Sequence, residues 1–251
     1  MDNRIDIKKI GFAVLMLCLL CLGCDRYSGV QFEGTVSGAE GKFVTVSLIH
    51  PNGEKNADSV QIRNGVFQLN FPVEDDNPHF FEISLRNDNA FTTLAKRGET
   101  LCLEADASSL VRSYQISGSH DAELMQQLDR RLSLFADSAE ILLEWFEIGN
   151  DDSLHAQIER AHNQITANHA AFLRQFIQDN PQSLSCLAAF YQRYNRCFFL
   201  HEEENIELLE TIHKNLQVKY PDSEDVKWVG NRLVTLAQRP ISESPVGQDN
   251  H

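Results

Sequence analysis

The hydrophobic period of this chain changes once, near Ser119, and that change limits its fold more than any other feature. From residue 30 to 117 apolar residues alternate. Val44, Val46 and Leu48 form one set, Phe67, Leu69 and Phe71 a second, Phe81, Ile83 and Leu85 a third, and Leu101 with Leu103 a fourth. A period of two puts each set on one face of a strand. Turn signals divide the runs: Pro51-Asn52-Gly53, Asn87-Asp88-Asn89, Arg97-Gly98, and Asn64-Gly65, a strong hairpin dipeptide. After Ser119 the period becomes helical. Leu124, Leu128, Leu132 and Phe135 make one stripe, and Ile158, Ala161, Ile165, Phe172 and Phe176 make another. Asn180-Pro181 reads as a cap with proline in the first turn of a helix carrying Leu184, Leu187, Phe190 and Tyr191. Further helices are expected over 203–219 and 223–236. The pattern predicts an α+β fold. An N-terminal antiparallel β-sandwich or barrel-like domain of seven or eight strands over 30–118 precedes a C-terminal bundle of four or five helices over 119–238. Residues 239–251, rich in Pro, Ser and Gly, read as a disordered tail.

The N-terminus has a different character. Arg4, Lys8 and Lys9 precede an apolar run from Ile10 to Leu22, followed by Gly23-Cys24. A basic start, a short apolar core and a small residue at the cut make a secretory signal. A cysteine directly after the cut is the pattern of a bacterial lipoprotein. The expectation is a signal peptide over 1–23, a lipidated Cys24 and a tether over 24–29. Ordinary cleavage or an uncleaved anchor is the alternative, although the run falls short of the roughly 20 apolar residues of a comfortable spanning helix. Cys18, Cys21 and Cys24 share a metal-like spacing, but cysteine is an acceptable apolar residue in a leader that is discarded. A multiply acylated Cys24 would hold the protein on a membrane of the cell envelope, facing the periplasm or attached to the outer membrane.

Charge and cysteine use exclude some functions. The leader carries three basic residues against two acidic ones, so removing it takes the formal charge from −14 to −15. A chain so acidic is not expected to bind nucleic acid or an anionic membrane surface through a basic patch. With 42% apolar residues and 15 Phe it can bury a substantial core. Cys102, Cys186 and Cys197 remain as thiols beyond Cys24. The expectation is buried free thiols. A Cys186–Cys197 bridge or redox pair is open only if the chain turns between them.

Few residue groups suggest chemistry. His155, His162 and His169 recur every seven residues on one helix, about 10.5 Å apart along its axis, so no two share a metal directly. They read as half-buried histidines against a neighbouring helix, with a pH-sensitive contact or a His-Glu-His metal cluster through Glu159 as alternatives. Glu202, Glu203, Glu204, Glu207 and Glu210 read as a solvated helix start. Glu74-Asp75-Asp76-Asn77 reads as an exposed turn lacking the ligand pattern of a calcium loop. The chain carries no phosphate loop, nucleophile elbow or zinc-protease motif, and no Cys-x-x-Cys beyond the leader. Neither a catalytic residue nor a cofactor or metal site is expected.

The order of several short motifs resembles a known family. Phe32-Glu33-Gly34, Asp58-Ser59-Val60, Asn64-Gly65-Val66-Phe67, Arg97-Gly98-Glu99 and Ile116-Ser117-Gly118-Ser119 look like the N-terminal β-domain of unknown function of Bacteroidetes-type lipoproteins. In those proteins the domain stands ahead of a thioredoxin-fold domain of the TlpA, ResA and peroxiredoxin kind. Asn180-Pro181-x-Ser183 and Tyr220-Pro221-x-Ser223 are similar to their helical spacer. The resemblance spans about residues 30 to 238. Only 15 residues follow Leu236 in this sequence, too few for a thioredoxin domain with its Trp-Cys-x-x-Cys site, so the expectation is that this domain is missing and no catalytic residue carries over. The resulting expectation is a non-enzymatic, membrane-tethered binding module, using its β-domain or the groove between its halves to hold an envelope partner or ligand. The alternative is the accessory half of a thiol–disulfide system, with a thioredoxin-fold protein as partner.

Overall fold

The protein is described by a computed structural model covering residues 28–86, 89–149 and 151–238. The expected signal segment 1–23, the expected lipidation residue Cys24, most of the expected tether and the tail 239–251 lie outside the described residues. No described helix is long and apolar enough to cross a membrane.

Eight strands precede Ser119: β1 Gly29–Ser37, β2 Phe43–Ile49, β3 Lys55–Gln61, β4 Val66–Pro72, β5 His79–Arg86, β6 Asn89–Ala95, β7 Thr100–Asp106 and β8 Gln115–Ser117. They form two four-stranded sheets, ordered β4-β1-β7-β8 and β3-β2-β5-β6. The alternating residues do what their period requires. Val44, Val46, Phe67, Leu69, Phe71, Phe81, Ile83, Leu101 and Leu103 are buried in one cluster fed by both sheets. Phe81 of the second sheet meets Phe32 and Phe71 of the first edge-on, with centroids 5.2 and 5.4 Å apart. Each such buried ring contributes roughly 1.5–3 kcal/mol.

Two pairings depart from expectation. The purely antiparallel arrangement is broken by β1 and β7, which run parallel. The chain leaves β1 for the second sheet and reaches β7 only after β6, so no tight turn forces the two strands into opposite directions. Gly34 sits opposite Leu103 in this pair, and a Cβ there would lie 1.9 Å from the Leu103 carbonyl oxygen. The Asn64-Gly65 turn forms, with φ of 54° and 74°. Its strands then part after one bridge between Arg63 and Val66. β3 stays beside β2, whereas β4 pairs with β1. The reason lies in their faces, since β3 has no buried face while β4 buries every second residue.

The helical part contains α1 Leu110–Ser113, α2 His120–Ile148, α3 Asp152–Asp179, α4 Ser185–Phe190, α5 Ile206–Lys219 and α6 Glu224–Ala237. A short hairpin, β9 Arg193–Tyr194 with β10 Cys197–Phe198, follows α4. It turns at Asn195, whose φ of 55° suits asparagine. Asn180 caps the end of α3 rather than the start of the next helix: its N–H and Nδ2 donate to the Phe176 carbonyl at 3.1 and 2.8 Å. Pro181 disfavours helical geometry at the residue before it, so α3 stops there. The helices join the second sheet through Leu94 and Phe80, which face each other across β5 and β6 and pack into the helical core.

Candidate functional site

Where the helices meet the second sheet they leave a groove of about 470 Å³. Its walls come from one face of each contributing element. Phe80 and Thr92 project from β5 and β6, and Ile49-His50-Pro51 closes the end of β2. On α2, Met125, Leu128, Asp129 and Leu132 follow helical spacing and line up along one side. Asp225, Trp228 and Val229 do the same on α6, and Leu187, Ala188 and Tyr191 complete the wall from α4. The surface is mostly apolar, with a few convergent polar groups, which is the usual makeup of a ligand site.

Two carboxylates open into it. Asp129 Oδ2 accepts a hydrogen bond of 2.8 Å from the Tyr114 hydroxyl. Burial pushes this carboxyl up to about 6, against the pull of that hydrogen bond. Tyr114 is fixed in turn: its ring stacks on Phe91 at 3.8 Å, and its carbonyl accepts from Gln126 Nε2 at 2.6 Å. Asp225 also rises to about 6, through burial first and the charge of Glu224 second, with His50 pulling the other way. His50 Nδ1 lies 3.0 Å from Glu224 Oε2, tying the end of β2 to the start of α6. The groove wall includes no lysine or arginine. Asp129 also borders a neighbouring cleft of about 610 Å³ that contains Lys42 and Arg112, and Arg112 pairs there with Asp137.

Tyr191 positions the far wall. Its hydroxyl donates to Glu202 at 3.0 Å, and its ring meets Trp228 edge-on at 5.7 Å. Glu202 also receives Arg232 Nε at 2.9 and 3.0 Å. It is therefore a half-buried link between the loop before α5 and α6, and the expectation of a solvated glutamate run fails at this member.

No known protein family, curated protein or solved structure matches this chain. Its site must be read from its own residues.

The structure separates most residues that sequence reasoning singled out. His155 stacks on Phe146 at 4.2 Å and lies 2.9 Å from the Gly149 carbonyl oxygen. His162 is exposed, contrary to the half-buried reading. His169 is buried 2.7 Å from Gln192 Oε1, and burial lowers its pKa. Among the described residues no three His, Cys, Asp or Glu side chains gather in a way that could hold a metal ion. The acidic turn is engaged locally: Asp75 Oδ1 lies 3.1 Å from His79 Nε2, and Asp76 pairs with Arg97 at 2.7 Å. All three described cysteines are free. Only Cys186 is buried, so the buried-thiol expectation fails at Cys102 and Cys197. The chain does turn between Cys186 and Cys197, yet Cys186 faces inward from α4 and Cys197 outward from β10. Burial, then the nearby Asp121 charge, pushes the Cys186 thiol up to about 12, far from a reactive thiolate. Cys24 lies outside the described residues.

Asp129, Asp225, Tyr114 and Trp228 were missed. A signal existed for Asp129, which interrupts the apolar stripe between Leu128 and Leu132. Its partner Tyr114 lies beyond a strand and a turn, and no sequence spacing points to it.

Proposed function

We propose that this chain is a lipid-tethered, non-enzymatic binding protein of the bacterial cell envelope, anchored through Cys24, whose groove takes an organic cation with an apolar body. One observation carries the reading: two half-buried carboxylates open into an apolar groove whose wall has no lysine or arginine. Negative charge partly withdrawn from water, in a wall that offers no lysine or arginine, favours a cationic guest. Trp228, Tyr191 and Phe80 supply aromatic surface for the apolar part and for cation–π contact. We read the two facing sheets as a β-sandwich and the following helices as an irregular bundle, in keeping with the resemblance to the lipoprotein β-domain and spacer.

Phenethylammonium and its neutral counterpart phenethyl alcohol test the idea. Trp145 and Trp228 are the two tryptophans, so Trp145→Phe leaves Trp228 as the fluorescence reporter. The ammonium should change Trp228 emission saturably, and Asp129→Asn with Asp225→Asn should weaken it by about tenfold or more. Equal responses to the ammonium and the alcohol would show that the carboxylates select nothing.

A further inference from the structure

The outer side of α2 carries a second apolar stripe. Leu134, Ile141, Trp145 and Ile148 are spaced seven, four and three residues apart. Ser138 divides the first interval into steps of four and three. Alternating steps of four and three keep every member on one line along a helix, the pattern of a coiled-coil seam. The four apolar members are open to solvent, Leu134 at 59%, Ile141 at 49%, Trp145 at 56% and Ile148 at 79%. The inward stripe of the same helix, with Leu124, Leu128 and Phe135, is buried. None of the outer four lines the groove between the second sheet and the helices. A seam of this period is covered by another helix lying along it, with the side chains of each set between those of the other.

Charge selects which helix. Arg130 and Arg131 stand one turn before Leu134 and are exposed. Arg130 Nη2 donates to Gln115 Oε1 at 2.5 Å, and the Arg131 guanidinium lies 5.4 Å from the centre of the Phe172 ring, so both cations rest on uncharged groups. At the other end Glu144 stands one turn before Ile148, and Asp151 and Asp152 follow the end of α2, all three exposed. Asp137, beside the middle of the seam, is already held by Arg112 at 2.5 Å. The seam therefore runs from a cationic end to an anionic end. A helix with the same order of charges matches both ends when it lies antiparallel and sets like charge on like when it lies parallel.

We propose that the outer stripe of α2 is a contact between two copies of this chain, with the two α2 helices antiparallel about a twofold axis at Ile141. In that register Ile141 meets its own counterpart and Leu134 of each copy meets Ile148 of the other. Arg130 and Arg131 are carried to the end of the other helix, where Asp151 and Asp152 stand. One sequence supplies both halves of the match, which is the condition for a twofold interface. A bilayer fits the stripe less well, because Asp137 and Glu144 flank it where a surface-bound helix carries Lys and Arg.

Sedimentation of the full chain over a concentration series reaching about 100 μM should show a monomer–dimer equilibrium. Ile141→Glu sets two carboxylates face to face at the axis. It should raise the dimer dissociation constant about tenfold or more and leave the circular dichroism unchanged, since the position is exposed. Orientation is read separately. A mixture of Leu134→Cys chains and Ile148→Cys chains should form a disulfide between positions 134 and 148, located by peptide mapping, while neither chain links to itself at its new cysteine. A monomer at every concentration, an unchanged dissociation constant in Ile141→Glu, or a link from 134 to 134 overturns the proposal. So does a blue shift of Trp145 emission in Trp228→Phe protein on phosphatidylcholine vesicles without self-association, which gives the stripe to a membrane instead.

Discussion

At the scale of single residues, Asp129 states the cost of the groove most directly. Its carboxyl titrates near 3.8 in an unfolded chain and at about 6 in the fold. Below 3.8 it is protonated in both states. Between the two values the folded state keeps the extra proton, so stability falls as pH rises, and above about 6 the whole penalty remains. Asp129→Asn keeps an acceptor for the Tyr114 hydroxyl and removes the charge. It should stabilise the protein by about 1–3 kcal/mol near pH ~8 and by almost nothing near pH ~3.5, as measured by urea melts at both values. A loss of stability near pH ~8 would mean that the charge is compensated. Cys186 gives a second prediction at this scale. A thiol pushed up to about 12 and buried should resist a maleimide in the native protein, while the exposed Cys102 and Cys197 react. Mass spectrometry after brief labelling separates the two cases.

At the scale of elements, the parallel β1–β7 pair rests on Gly34. An alanine there would place its Cβ 1.9 Å from the Leu103 carbonyl oxygen, so the strands must separate or shear. Gly34→Ala should cost more than about 3 kcal/mol, or prevent folding, as read by thermal melting. Arg232 has a comparable role for α6. Its guanidinium meets the half-buried Glu202 carboxylate through Nε, so Arg232→Ala takes away that cation and should destabilise by about 2–4 kcal/mol in chemical denaturation. Elements were legible where one local rule governed them. The alternating runs became strands, the long stripes became α2 and α3, and Asn64-Gly65 became a turn with two positive φ angles. Legibility failed where two rules competed. The same turn signalled a hairpin, but β4 has an apolar face to bury and β3 has none, so the two entered different sheets. At Asn180-Pro181 a start signal and a stop signal look alike, and the Phe176 carbonyl decided for the stop.

At the scale of the whole molecule, the groove exists because parts of the chain distant in sequence converge: the end of β2 with the outer face of β5–β6, one side of α2, α4, and the start of α6. Its charge state therefore depends on their docking. Raising pH through about 6 ionises Asp129 and Asp225. Affinity for phenethylammonium should accordingly rise several-fold between about pH 5 and about pH 7.5, with His50 and Glu224 facing Asp225 and Tyr114 facing Asp129 as the other titratable groups at the site. A titration at the two pH values checks this, and a flat profile would remove the carboxylates from the binding step. The sequence by itself determined the division into strands and helices, the inward residues of each strand and the acidity of the chain, because periodicity and composition are local properties. Tertiary structure alone decided the parallel pair, the parting of β3 from β4, and the meeting of Asp129 and Asp225 in one groove. Those depend on which apolar faces cover each other, and burial gives a carboxylate its unusual proton affinity only once those faces have closed.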